Sequence, residues 1–298
     1  MREEIRKIQA MMEEASYITD APVATSVYLA MTLKKPLLIE GPAGVGKTEV
    51  AKVMARMLGT NLIRLQCYEG LDASTALYEW NYPKQLLRIK LEETNQGSAD
   101  EKEAVIFSEP FLLKRPLLQA ISQDGQPPVL LIDECDRSDE EFEAFLLEVL
   151  SDFQVTIPEI GTIKAQHYPY VVITSNRIRE LSDALRRRCL YLWIDYPTLE
   201  KELQIVHTKV PGINAGLASE VTRVVQALRQ MKLSKVPGVA ETLDWANALV
   251  SLHADHLDEE LVRETIGCFV KDVDDVKRVQ STLATSGLGS LTGIPTIA

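Results

Sequence analysis

Apolar residues follow two rhythms along this chain. Over roughly the first two thirds, short apolar runs recur at 36–40, 62–66, 129–132, 170–174 and 190–194. Between them lie stretches with helical spacing. Residues 1–15 place Ile5, Ile8, Met11 and Met12 on one face, and 23–33 reads as a second helix. Val50, Val53, Met54, Met57 and Leu58 mark a third, and Phe142, Phe145, Leu146, Val149 and Leu150 a fourth. Ser138 with Glu141 three residues on forms a capping box that starts this last helix. Runs of four or five apolar residues separated by helices predict a mainly parallel sheet covered on both faces, because such strands bury both of theirs.

Three segments depart from this rhythm. Residues 92–103 are polar and charged without an apolar period, which predicts a loop or insertion. Residues 154–165 alternate and contain a proline and a glycine, which predicts a hairpin. After Tyr196-Pro197 the pattern becomes helical throughout, over 198–209, 216–231 (Val221, Val224, Val225, Leu228, Met231), 239–253 and 258–269. The expected organisation is an α/β domain at 1–195 with insertions near 80–120 and 154–166. A helical domain at 196–282 and a flexible, Gly/Ser/Thr-rich tail at 283–298 complete it.

Composition narrows the class. With 46% hydrophobic and 25% charged residues, the chain has the make-up of an ordinary soluble globular protein. No stretch approaches the about 20 apolar residues that span a bilayer, and the N-terminus lacks a signal-like apolar core, so a cytoplasmic protein is expected. The formal charge of −11 disfavours general nucleic-acid binding, which needs basic surface. Cys67, Cys135, Cys189 and Cys268 share no metal-like spacing and are expected as reduced thiols.

The candidate chemistry begins at Gly41-Pro42-Ala43-Gly44-Val45-Gly46-Lys47-Thr48, set between an apolar strand and an amphipathic helix. Backbone N–H groups at a helix N-terminus attract anions, and glycines let the chain approach phosphate closely. Lys47 then pairs with β- and γ-phosphates and Thr48 places its hydroxyl on Mg²⁺. Glu49 completes the nucleotide-binding segment. The predicted cofactors are therefore ATP and Mg²⁺. The strongest strand ends in Asp133-Glu134; Asp133 suits the metal's water shell and Glu134 a general base for the attacking water. Asn176 ends the fourth strand, where an amide can orient water or meet the γ-phosphate. Arg186, Arg187 and Arg188 precede the fifth strand, where an arginine can stabilise transferred charge at a neighbouring subunit's ATP. Arg188 is the first choice for that role and Arg187 the second.

The ordered set GPAGVGKT, LLIDE, ITSN and ALRRRC, followed by helices, resembles the AAA+ ATPases. The segments IFSEPFLLKRPLLQAI, TIPEIGTIKA and RRRCLYLWIDYP are similar to the MoxR branch, in particular to CoxD-type proteins of carbon monoxide dehydrogenase maturation. This resemblance implies a P-loop AAA+ domain with a five-stranded sheet and an all-α lid. It also implies a homo-oligomeric ring, usually hexameric, that remodels or matures a client metalloenzyme, often with a von Willebrand factor A domain partner. One departure stands out: AAA+ lids often carry a γ-phosphate-sensing arginine at the start of their third helix, and Pro237-Gly238-Val239-Ala240-Glu241-Thr242 has none. Arg223 and Arg229 lie near but are not assigned that role. Two alternatives remain open: a DNA-directed AAA+ ATPase using Lys84, Arg88, Lys90, Lys114 and Arg115, and a monomeric nucleotide switch or phosphotransferase.

Overall fold

The computed structural model describes residues 2–92 and 99–289, with Ala73, Glu92 and residues 99–102 described by their backbone alone. The chain forms two compact units. One comprises the residues up to Gln9, Ala21–Glu40 and Thr48–Trp193; the other comprises Ala10–Asp20, Gly41–Lys47 and Ile194 onward. Helix α1 (Arg2–Glu14) thus contributes to each.

The first unit is built on a five-stranded sheet. Its strands are β1 (Leu37–Glu40), β2 (Leu62–Gln66), β5 (Val129–Asp133), β8 (Tyr170–Ser175) and β9 (Leu190–Trp193), in the order β2-β5-β8-β1-β9. Every pairing is parallel, so the expected mainly parallel sheet is wholly so. Both faces are covered. Leu130, Ile132, Val171 and Ile173 pack with Leu117, Leu118, Phe142 and Leu146 of flanking helices, while Val129, Leu131 and Val172 on the opposite side are equally buried. Helices α2 (Ala21–Leu33), α3 (Lys47–Leu58), α7 (Pro116–Ile121), α8 (Glu140–Asp152) and α9 (Asp183–Arg188) flank the strands in sequence. The predicted hairpin is β6 (Gln154–Ile157) with β7 (Gly161–Lys164), antiparallel.

Between β2 and β5 lies a segment that periodicity did not resolve. It holds α4 (Ala73–Ala76), β3 (Tyr78–Trp80), α5 (Tyr82–Glu92), α6 (Ala99–Ile106) and β4 (Leu112–Lys114), with β3 and β4 paired antiparallel. Residues 99–103, expected as loop, are helical in α6; Ala, Glu and Lys favour helix without supplying an apolar stripe. The expected loop at 93–98 lies outside the described residues. Helix α5 is inverted: Tyr82, Leu86, Leu87, Ile89 and Leu91 are exposed, while Gln85 is buried and donates to the Ile106 carbonyl at 3.0 Å.

The start of α8 also corrects an expectation. Asp139 is the N-cap, its carboxylate accepting the Phe142 N–H at 2.8 Å. Ser138 instead donates its hydroxyl to the Cys135 carbonyl at 2.8 Å, closing the preceding turn, so it is not free to cap the helix.

The second unit contains α10 (Leu199–Lys209), α11 (Ala215–Arg229), α12 (Val239–Ser251), α13 (Glu259–Thr265) and α14 (Val273–Ser286). Helix α14 was not anticipated, and its last turn takes in residues 283–286 of the expected tail. The rest of the expected tail beyond Leu288 and Gly289 lies outside the described residues. Val221, Val224, Val225, Leu228, Leu249, Val279 and Leu283 form this unit's core. Trp245 stacks at 4.1 Å from Phe269 and donates its indole N–H to Thr265 at 2.8 Å.

Leu131 sits in the middle of β5, an interior strand of the sheet, with no exposed surface. Leu131→Ala should therefore cost about 2–5 kcal/mol in denaturant unfolding. Leu87→Ala on the exposed face of α5 should change stability by no more than about 0.5 kcal/mol. Equal costs at the two positions would contradict these burials.

Candidate functional site

Glycine conformations shape the loop after β1. Gly44 and Gly46 have φ of +74° and +93°, in the left-handed region that favours glycine. A Cβ at Gly41 would stand 1.9 Å from the Ile194 carbonyl oxygen, so no other residue fits there without moving the backbone. Lys47 is buried and its Nζ donates to the carbonyls of Gly41 (2.9 Å) and Pro42 (2.6 Å), folding the side chain over the loop. Val45 is buried, whereas Ala43 is exposed. Glu49 lies along α3, paired with Arg56 at 2.5 Å and Lys52 at 3.4 Å.

Thr48 follows directly and meets the end of β5. Its hydroxyl donates to Asp133 Oδ1 at 2.9 Å, and the Thr174 hydroxyl donates to the same oxygen at 2.6 Å. Arg64 grips Oδ2 through Nε (3.0 Å) and Nη2 (2.6 Å). Asp133 is nearly fully buried, so these partners supply what water otherwise gives a carboxylate.

Glu134 turns away from the strand with φ +54°, an uncommon conformation for a residue with a Cβ and one that costs of order 1–3 kcal/mol. Its N–H donates to Thr174 Oγ1 at 2.9 Å, which holds the turn. Its carboxylate accepts from Asn176 Nδ2 at 3.3 Å and Gln66 Nε2 at 3.1 Å, and pairs with Arg137 Nε at 2.8 Å. Asn176 is itself fixed from behind: buried Asp136 accepts the N–H groups of Asn176 (3.1 Å) and Ile178 (2.9 Å) through Oδ2. Cys67 and Cys135 lie beside this strand end, with the Cys67 N–H on the Asp133 carbonyl at 2.9 Å. The Cys67 thiol is pushed up by its hydrogen bond with Cys135 and then by burial, so it stays protonated.

Of the residues singled out from sequence, Thr48, Asp133, Glu134 and Asn176 thus come together at the C-terminal ends of parallel strands. Arg186, Arg187 and Arg188 do not join them. They close α9 just before β9, at the N-terminal strand ends, and a four-residue strand spans about 13 Å. Arg186 lies over the Tyr191 ring at 5.7 Å; Arg187 and Arg188 are exposed, and Arg188 reaches the Ala184 carbonyl at 3.5 Å. Sequence reasoning missed Arg64, Gln66, Arg137, Asp136 and Thr174. A signal existed for the first two: Arg64 and Gln66 alternate with buried Ile63 and Leu65 along β2.

A glycine-cradled loop on a helix N-terminus, with a hydroxyl–carboxylate pair and a second carboxylate one residue beyond the end of β5, defines the P-loop nucleotidase class. Within that class, residues 37–192 match the family "ATPase family associated with various cellular activities (AAA)", and the chain belongs to it. It is 24% identical over 215 residues to the denitrification regulatory protein NirQ of Stutzerimonas stutzeri, spanning 70% of this chain and 68% of NirQ. An uncharacterized Staphylococcus haemolyticus protein is 24% identical over 241 residues, 78% of this chain and 82% of its own length. Against an uncharacterized Staphylococcus saprophyticus protein, 25% identical, the match spans 62% of this chain and 65% of the relative. Among solved structures, a RuvB variant of Thermotoga maritima is similar at 17% identity and TM-score 0.49, covering 97% of this chain and 83% of that one.

Thr174 serves two partners through one hydroxyl. Thr174→Val keeps the shape but leaves Asp133 and the Glu134 N–H each one bond short, which should cost about 1–3 kcal/mol by chemical unfolding. An unchanged midpoint would mean that these bonds contribute nothing.

Proposed function

We propose that this chain is a Mg²⁺-dependent ATPase of MoxR type that works as a ring and remodels or matures a partner protein. The observation that carries the reading is the convergence of Thr48, Asp133, Glu134 and Asn176 through direct hydrogen bonds. A hydroxyl and a carboxylate sharing one contact are hard oxygen donors suited to Mg²⁺. Gly41 to Glu49 hold the triphosphate, with Lys47 exchanging its loop carbonyls for phosphate oxygens. Bound Mg²⁺ and ATP supply charge neutralisation and the phosphoryl group. Glu134 accepts the proton of the attacking water, and Asn176, hydrogen-bonded to Glu134, orients that water.

The arginines support a shared site. Arg188 and Arg187 stand at the wrong end of the strands for their own Thr48 and Asp133, so either serves the ATP of an adjacent copy. The organisation proposed is a nucleotide-binding domain at 1–195, a lid at 196–282 and a tail at 283–298. Exposed Leu86, Leu87 and Leu91 on α5 offer apolar surface to a protein client. A metalloenzyme client and a von Willebrand factor A domain partner rest on the resemblance to the MoxR branch, and the similarity to NirQ, a denitrification regulatory protein, is in keeping with action on another protein. The DNA-directed alternative is weakened, because Lys114 pairs with Glu109 at 2.6 Å and Arg115 with Glu79 at 2.5 Å.

Glu134→Gln should retain ATP binding while hydrolysis falls at least about 100-fold, checked by equilibrium binding and phosphate release. Normal turnover in that variant would remove Glu134 as base. Arg188→Ala and Lys47→Ala subunits, each inactive alone, should recover activity on mixing if sites are shared. A monomeric switch shows no recovery.

A further inference from the structure

The sequence left the lid without an arginine at the start of its third helix, and the structure shows where the nearest one goes. Arg229 closes α11 with its side chain 3% exposed, against a Glu202 side chain that is fully buried. The two form a fork-to-fork pair, Nη1 to Oε2 at 2.6 Å and Nη2 to Oε1 at 2.7 Å. Arg229 Nε donates to the Pro237 carbonyl at 2.9 Å, Nη2 reaches Thr242 Oγ1 at 3.4 Å, and the guanidinium lies 4.8 Å from the Tyr196 ring centre. Glu202 also accepts from Thr242 Oγ1 (2.7 Å) and Gln226 Nε2 (2.7 Å). Both Glu202 oxygens and all three guanidinium nitrogens are thus engaged within this unit, on side chains that are almost fully buried.

What the pair holds is the turn that enters α12, and that turn rests on the phosphate loop. The Ala240 N–H donates to the Gly44 carbonyl at 3.2 Å. A Cβ on Gly238 would come 2.8 Å from both the Ala43 carbonyl oxygen and Gly44 Cα, and one on Gly44 would come 3.0 Å from Glu241 Oε2. Glu241 in turn accepts the Gly238 N–H at 2.9 Å. Two glycines, one on each segment, therefore permit a close backbone-to-backbone contact, and a methyl group on Gly238 would force it apart.

We infer that Glu202 and Arg229 are a positioning pair. They fix the Pro237–Ala240 turn, whose backbone sets the shape of the phosphate loop at Ala43 and Gly44. The lid helices then respond to nucleotide through that backbone contact, where other lids use an arginine on the γ-phosphate. This inference rests on the proposed reading of Gly41 to Thr48 as the ATP loop. It assigns no catalytic contact to either residue.

Two variants test it in the full chain. Arg229→Lys keeps the charge but loses the fork and the reach to Pro237. Gly238→Ala leaves the pair intact and adds one methyl group at the contact; Gly238 has φ −87°, so alanine strains no backbone of its own. The readouts are hydrogen exchange of the peptides covering residues 41–47 and 239–242 without nucleotide, and KM and kcat for ATP. Both variants should speed exchange in both peptides by about tenfold or more and raise KM about tenfold, with kcat within about threefold; a tenfold change corresponds to about 1.4 kcal/mol. Glu202→Gln should reproduce Arg229→Lys. If Arg229→Lys does not fold, Glu202→Gln decides for the pair and Gly238→Ala for the contact it supports. Unchanged exchange and KM in a folded Gly238→Ala overturn the inference. A wild-type chain that binds no ATP overturns the proposed function instead, and the exchange measurement still judges the positioning pair.

Discussion

One buried carboxylate organises the first unit. Asp133 has almost no access to water, and a bare buried carboxylate is costly enough that the surroundings must satisfy it with hydrogen bonds. Hydroxyls from Thr48 and Thr174 share one oxygen and the Arg64 guanidinium takes the other. These partners come from residues 85, 41 and 69 positions away. Only a sheet that brings the C-terminal ends of β1, β2, β5 and β8 to one edge can deliver them together. The parallel register does this, because every strand runs the same way and each following loop leaves on the same side.

The same edge explains why Glu134 tolerates an unfavourable backbone conformation. The Thr174 hydroxyl that holds Asp133 also receives the Glu134 N–H, so one group fixes both the turn and the buried carboxylate. Asn176 is anchored by Asp136, two residues beyond Glu134, and its amide meets Glu134 from the next strand. The two carboxylates and the amide thus behave as one hydrogen-bonded unit, and a change at any member is felt by the rest.

Much of the fold was legible because it follows from periodicity. The five sheet strands are short apolar runs, and a parallel sheet buries both faces, so the runs announce themselves. The second unit's α10 to α13 show the helical stripe that packing requires. What escaped has a common cause. Helix α6 lacks a stripe, α5 carries its apolar residues outward, and β3 and β4 are three residues each, too short for alternation to register. Ser138 looked like a cap because its spacing to Glu141 was right, yet a 3₁₀ turn claimed its hydroxyl and moved the cap to Asp139.

By itself, the sequence marked the glycine loop, the acidic strand end and Asn176, because each is a local pattern of residues that can be read without the fold. It also placed the arginines before the last strand, though not at which end of the sheet they would stand. Tertiary structure alone decided that Arg64, Gln66 and Arg137 reach the two carboxylates, and that Arg229 is spent on Glu202. The reason is physical: hydrogen bonds between residues far apart in sequence depend on strand order and register, and no local spacing encodes those.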